Sequence, residues 1–426
     1  MNHNKTQACA VIALAAALGA TSVSAQELTI GLSSEPTAVD PHYHDLTPNN
    51  QLGMHIYSML ATPDANLIAQ PELATSWEAE DDNTWVFKLR DDVTFSDGTP
   101  FDASDVIFTF CRVMNNESAI GSTGSSVVSN FESVETPDPY TLRIKTKEVE
   151  PIMPEMLAGV PILSDSIVEH DEISFDLEND CGVTGTWPSI DDFNVGDAAI
   201  GTGPFKLEKF SKGAEITLSR NESYFGHKPD WETVTFVPVP SDGPRLAGLL
   251  SGDYDMIESP AARDLAQIKG NDAFDYVSTP SNRVIFLQLD TGRADSPFVT
   301  AEDGSNPFQD FRVRLAIDRE AIVERIMDGL ASPANQFIPD EMFGAIPQPA
   351  TLEYNPQKAK ELLTKAGYPD GFKVTFHATN DRYINDSQIA QAVAQFLTRV
   401  GIETELDAMT RSMFFSRQAL RTVATG

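Results

Sequence analysis

The stretch from Pro71 to Phe110, PELATSWEAEDDNTWVFKLRDDVTFSDGTPFDASDVIFTF, leaves the chain few choices. Between Thr84 and Arg90 the residues alternate, with Trp85, Phe87 and Leu89 on one face and Val86, Lys88 and Arg90 on the other. A period of two predicts a half-buried strand. Asp91–Asp92 interrupts it and Val93–Phe95 resumes it. Ser96-Asp97-Gly98-Thr99 is turn chemistry, in which glycine supplies a positive φ. Asp102 stands where a helix N-cap belongs, and Asp105 follows three residues on, near the positive helix end. Val106, Phe108, Phe110 and Val113 then fall in a helix too apolar to be anything but packed. The stretch predicts one core unit: strand, turn, strand, turn, helix.

The chain has 426 residues, enough for two or three domains around a sizeable core. Its 30 Lys+Arg against 63 Asp+Glu give a net charge of −33, which argues against nucleic acid or an anionic membrane as natural partner. The N-terminus reads as an export signal over 1–25: Lys5, an apolar run from Ala8 to Ala20, and the small residues Val23-Ser24-Ala25 at a cleavage point. The run is too short to span a membrane comfortably, so the expected product is exported, not membrane-embedded, and starts near Gln26. Cys111 and Cys181 then remain as an even pair in an oxidising compartment, open to a disulfide or to two buried free thiols.

Taken in order, Leu28–Leu32 reads as a first strand, followed by a polar loop, Val39 to Asp45. Thr47 is expected to cap a helix with Pro48 in its first turn and Leu52, Ile56 and Met59 on the buried stripe. A Ser/Gly-rich loop is expected from Gly121 to Ser129, a strand over Tyr140–Thr146, and an acidic irregular segment over Asp165–Asp192. Gly201-Thr202-Gly203-Pro204 lacks the spacing of a phosphate loop. Arg245–Leu250 reads as a helix, Tyr254–Ile257 and Val284–Leu289 as strands, and Phe311–Met327 as a helix capped by Asp310. Asn355, Pro356 and Gly367 bracket another helix as cap, first-turn residue and αL stop. Strand Lys373–His377, helix Gln388–Val400, strand Glu403–Leu406 and a helix starting at Met413 complete the pattern. Alternation of this kind predicts two mixed α/β lobes.

Several word orders are more specific than the pattern. P-x-L-A-x-S-W followed by W-x-F-x-L-R-x-x-V-x-F-S-D-G-T-P-F-x-A-x-D-V, with L-L-S-G-D-Y-D-M-I and F-R-V-R-L-A-I-D-R further on, closely resembles bacterial extracellular solute-binding proteins of family 5. These are the periplasmic receptors of peptide, dipeptide, nickel and opine ABC importers. The resemblance implies a two-lobed, type II-like periplasmic binding fold in the large family 5 variant. The first lobe would be 26–70 with 196–283, the extra subdomain 71–195 and the second lobe 284–426. It also implies that the second lobe, and a return to the first, continue beyond Gly426.

By the same resemblance, the loop after Asp40-Pro41-His42 lines the ligand cleft and places His44, Asp45 and Thr47 near the solute. Ile120 and Gly121 would belong to the opposite wall, Leu289 and Asp290 to the crossing strand, and Gly201, Thr202, Gly203 and Pro204 to a hinge. Partners would be a peptide or other small solute and a permease–ATPase complex, met by a monomer without a cofactor. A nickel or metal-complex, opine or oligosaccharide receptor on the same fold is the alternative. His42, His44 and His55, with Asp40 or Asp45, form the one histidine group worth testing as metal ligands. An exported hydrolase is the alternative of another class, but the chain has no G-x-S-x-G elbow and no H-E-x-x-H.

Overall fold

The computed structural model describes residues 26–64, 68–115, 123–278, 281, 283–314, 319–327, 331–334, 336–338, 345–346, 355–380 and 382–419. The signal segment, Ile120 and Gly121 lie outside these residues.

The first unit is a five-stranded mixed sheet in the order Met256–Ile257, Glu27–Leu32, Thr233–Pro238, Glu215–Arg220, Phe205–Ser211. The first three strands run parallel and the last two antiparallel. The helices Thr47–Ile56 and Asp242–Ser251 pack on it, the second ending at Gly252 with φ 81°. Arg245, 1% exposed, staples the carboxyl ends of the parallel strands. Its guanidinium donates to the carbonyls of Val239 (2.8 Å), Glu258 (3.1 Å) and Ser259 (2.8 Å) and to Asp242 Oδ1 (2.9 Å).

The second unit is the one the Pro71–Phe110 pattern predicts. Four antiparallel strands, Ala74–Asp81, Thr84–Leu89, Thr141–Thr146 and Phe131–Asp138, carry the helix Ala103–Asn115 over one face. Phe87, Leu89, Val106, Phe110 and Val113 are buried together, each apolar side chain stabilising by roughly 1.5–3 kcal/mol relative to exposure. Asp102 closes the helix start reciprocally: its Oδ1 accepts from Ser104 N–H (2.7 Å), and Asp105 Oδ2 accepts from Asp102 N–H (2.9 Å). Gly98 has φ 94°, as its turn requires.

The third unit is smaller. Phe372–Thr379 pairs parallel with Ile402–Met409 and antiparallel with the short strand Val299–Thr300. The helices Pro356–Ala366 and Asp386–Val400 cover it. Asn355 Oδ1 accepts from Lys358 N–H (2.9 Å), and Gly367 and Gly401 stop the helices in the left-handed region.

Five expectations are corrected. The helix that starts at Thr47 ends at Ile56, so Met59 lies outside it and bridges to Pro161. Val93–Phe95 is not a strand, because the Ser96–Thr99 turn folds the chain back so tightly that only the Thr94–Pro100 bridge forms. Residues of the Gly121–Ser129 loop form a short helix, Thr123–Val128, whose Val127 and Val128 are drawn into the core. Thr47 is the first residue of its helix rather than its cap; Leu46 holds the cap position, with no side-chain bond. Val284–Leu289 pairs with no other strand among the described residues, and Ile285 and Phe286 stand about half exposed. Alternation makes a segment fit for a sheet, but a strand also needs a neighbouring backbone.

Cys111, in the buried helix, is joined to Cys181 by a disulfide that pins the irregular Asp165–Asp192 segment to the second unit. A cross-link over a sequence separation of 70 contributes about 4 kcal/mol by the loop-entropy model. A double Cys111→Ala/Cys181→Ala variant should lose about that much unfolding free energy in urea titration, and an unchanged midpoint would contradict this role.

Candidate functional site

Ligand sites in sheets with parallel strands open at the carboxyl ends of those strands, where the chain leaves regular structure with side chains free to converge. Two such ends meet here. In the first unit Leu32 runs into Ser33-Ser34, and Ile257 into Glu258, whose Oε1 accepts from Ser33 N–H (2.8 Å) and Ser33 Oγ (2.9 Å). In the third unit Thr379 runs into Asn380 and the turn at 382–385, and Met409 into Thr410-Arg411. Arg411 donates to Ser34 Oγ across the gap. Arg283, on the segment between the units, donates from Nη2 to Thr47 Oγ1 (2.9 Å) and lies 5.9 Å from the centre of the Tyr383 ring.

The turn after the third-unit strand is built around Asp386, whose Oδ2 accepts from Thr379 Oγ1 (2.8 Å) and from the backbone N–H of Arg382 (2.9 Å) and Tyr383 (3.2 Å). This fixes Arg382 with its guanidinium 5.4 Å from the Tyr383 ring centre and its Nε buried without a hydrogen-bond acceptor among the described residues. A buried guanidinium nitrogen without an acceptor is costly. In a chain of net charge −33, Arg283 and Arg382 flank the Tyr383 ring, and Arg283 reaches Thr47, a cationic and aromatic cluster suited to an anionic or carboxylate group.

The expected site residues divide. Thr47 is on this crevice, through Arg283. His44 and Asp45 precede it on the same loop. His44 Nδ1 meets Thr37 Oγ1 (2.9 Å), and its ring lies 4.0 Å from that of Tyr43. Partial burial lowers the His44 pKa. Asp45 is exposed and accepts from Asn50 Nδ2 (2.8 Å).

Leu289 packs against the third-unit core, and Asp290 ion-pairs with Arg293 (2.6 Å). Gly201–Pro204 lies instead at the junction of the first and second units. Gly203 N–H donates to Ile56 O (2.9 Å), and Ser96 N–H to Gly201 O (2.9 Å). A Cβ on Gly201 would stand 2.1 Å from Ile56 O, so only glycine fits.

The histidine group does not assemble. Nδ1 of His42 accepts from Arg112 Nη1 (2.9 Å) and its Nε2–H donates to Pro161 O (2.8 Å), while His55 Nδ1 meets Gln51 O. Among the described residues no group of His, Cys, Asp and Glu is placed to hold a metal ion.

The sequence reading missed Arg112, Arg283, Arg382 and Arg411. Arg112 did carry a signal: an arginine inside a largely apolar, packed helix demands a buried partner. That partner is Asp40, at 2.6 Å.

His42 shares this network. Burial, then the adjacent Arg112, lowers its pKa from 6.5 to about 4. The folded state thus keeps the ring neutral where the unfolded chain protonates it. Stability is lost as pH falls from 6.5 towards 4, on the order of 3 kcal/mol in all. A His42→Gln variant should show a flatter fall of unfolding free energy over that window; parallel curves would contradict the assignment.

Comparison with known proteins bears on the family and the fold. Residues 69–423 match the model of bacterial extracellular solute-binding proteins, family 5 Middle. The glutathione-binding protein GsiB of Salmonella paratyphi A is 25% identical over 404 residues, covering 94% of this chain and 73% of that protein. The dipeptide-binding protein of Escherichia coli K12 is 26% identical over 353 residues, covering 79% of this chain and 62% of its own length.

Among solved structures, the periplasmic binding protein DppA of Helicobacter pylori in complex with the peptide STSA superposes with a TM-score of 0.75 at 23% identity, covering 94% of this chain and 77% of its own. AgaA of Agrobacterium tumefaciens R10 with agropinic acid gives 0.69 at 26%, covering 94% and 76%. Both relatives carry the two-lobed periplasmic binding fold, and the three units described above form it here. The chain belongs to the bacterial extracellular solute-binding proteins of family 5.

Proposed function

We propose that the protein captures a small carboxylate-bearing solute, a peptide or peptide-like compound, between its two lobes and presents it to the permease–ATPase complex of an ABC importer. The observation that carries the solute class is the Arg382 guanidinium, which lies beside Tyr383 and Arg283 and whose buried Nε lacks an acceptor among the described residues. The solutes named for the relatives, glutathione, dipeptides, the peptide STSA and agropinic acid, all bear carboxylates. The protein acts by binding rather than turnover, as an exported periplasmic monomer. No helix among the described residues is long and apolar enough to cross a membrane.

The sheet pairing supports a first lobe of 26–70 with 196–283, an extra subdomain over 71–195 and a second lobe from 284. Closure moves the second lobe towards Ser34 and Thr47. The 283–290 segment, ending at Leu289 and Asp290, is the moving side of the hinge, while the tightly packed Gly201–Pro204 loop keeps the first unit fixed against the second. A ligand shifts this equilibrium only by its preference for the closed form, so contacts from both lobes are required. His44, Asp45 and Thr47 supply the first-lobe contacts, Asp45 being the acceptor for a cationic group such as a peptide amino terminus. Ile120 and Gly121 are assigned to the opposite wall.

Two substitutions test the reading by calorimetric titration with short peptides. Arg382→Gln should weaken binding of free-acid peptides by about 1.5–3 kcal/mol, the range of a charge-assisted hydrogen bond, and have little effect on their C-terminal amides. Asp45→Ala should weaken peptides with a free amino terminus by more than about 1 kcal/mol. Equal losses for acid and amide, or no loss in either variant, would remove these residues from the site.

A further inference from the structure

A pocket of about 390 Å³ lies at the other end of the Thr47–Ile56 helix from the crevice, about 15 Å along its axis. Its wall is mixed: Met54, Met59, Pro204, Tyr224 and Phe225 supply apolar and aromatic surface, and Thr62 and Arg90 polar surface. One carboxyl, that of Glu72, lines it. Glu72 Oε2 accepts from Met59 N–H (3.1 Å), and no arginine or lysine pairs with it among the described residues.

The other charge on the wall is committed elsewhere. The Arg90 guanidinium donates to Asp92 at 2.9 and 2.7 Å and lies 4.8 Å from the Phe225 ring centre. Tyr224 and Tyr57 complete the ionisable surroundings, and burial raises the pKa of both hydroxyls. A lone carboxyl under aromatic faces and methionine thioethers is the chemistry that receives an organic ammonium group.

We propose that this pocket is a second binding site, separate from the inter-lobe crevice, for a small primary ammonium compound with an aromatic or alkyl arm. The ammonium group pairs with Glu72, and the arm lies against Phe225, Tyr224 and Met59. Burial raises the Glu72 pKa from 4.5 to about 7, so the empty site is partly protonated at neutral pH and releases its proton when the cation arrives.

The test is titration of the whole protein with 2-phenylethylammonium and with its uncharged analogue 2-phenylethanol, at pH 8 and pH 5.5, followed by NMR. The ammonium compound should bind saturably at pH 8, at least tenfold more tightly than the alcohol, and weaken more than tenfold at pH 5.5. Glu72→Gln keeps the shape and the acceptor for Met59, so a thermal melt should show it folded. It should bind both compounds alike, while Arg382→Gln should leave the ammonium preference intact. Lack of saturable binding, equal affinity for amine and alcohol in the native protein, or a preference surviving in Glu72→Gln would overturn the proposal. Loss of the preference in Arg382→Gln would also overturn it, placing the compound in the crevice instead.

Discussion

The arrangement depends on one buried ion pair. Arg112 and Asp40 are 2% and 1% exposed at the side chain and meet at 2.6 Å. Taking two charges out of water is expensive, so the pair persists only because its remaining hydrogen-bonding capacity is met: Arg112 also donates to His42 Nδ1 and lies 4.6 Å over the Phe193 ring. The network joins a loop of the first unit, the central helix of the second and, through Phe193, the helix Ile190–Val195. Cys111, one residue away, adds the covalent link to Cys181. Such a pair adds little net stability over an apolar replacement, but it tolerates only one geometry. It fixes the loop Asp40–Asp45 from below, and that loop leads directly into Thr47.

Above this foundation the proposed ligand surface is made from ends of structure. The parallel strands of two different sheets point their carboxyl ends into one crevice, and the bridging contacts, Arg283 to Thr47 and Arg411 to Ser34, are polar. An apolar interface there would hold the lobes together permanently. A few hydrogen bonds leave the open and closed forms close enough in free energy for a ligand to decide between them.

The regular elements were legible because their signals are local. The alternation of Thr84–Arg90, the Asp102–Asp105 cap, and the Asn355–Pro356 start with its Gly367 stop each reflect forces acting within a few residues, and each stands where expected. Word order along the chain added the family, and with it the two-lobed fold. The site was legible only in part. Loop position pointed to Thr47; Arg283 is brought against it, and Arg382 to the Tyr383 ring beside Arg283, by tertiary folding that no local signal encodes. Nothing in N-D-R-Y or S-N-R-V distinguishes them from solvated arginines. Val284–Leu289 failed for the converse reason, since its alternation is real and the partner strand is not supplied by local sequence.

Closure of two lobes on a solute is the central claim, and small-angle X-ray scattering of the protein with and without a saturating peptide measures it most directly. The account predicts a smaller radius of gyration with bound peptide and a return to the original value once the peptide is dialysed away. An unchanged radius at saturation, with binding confirmed in the same sample, would contradict it: the solute would then be held by one lobe alone.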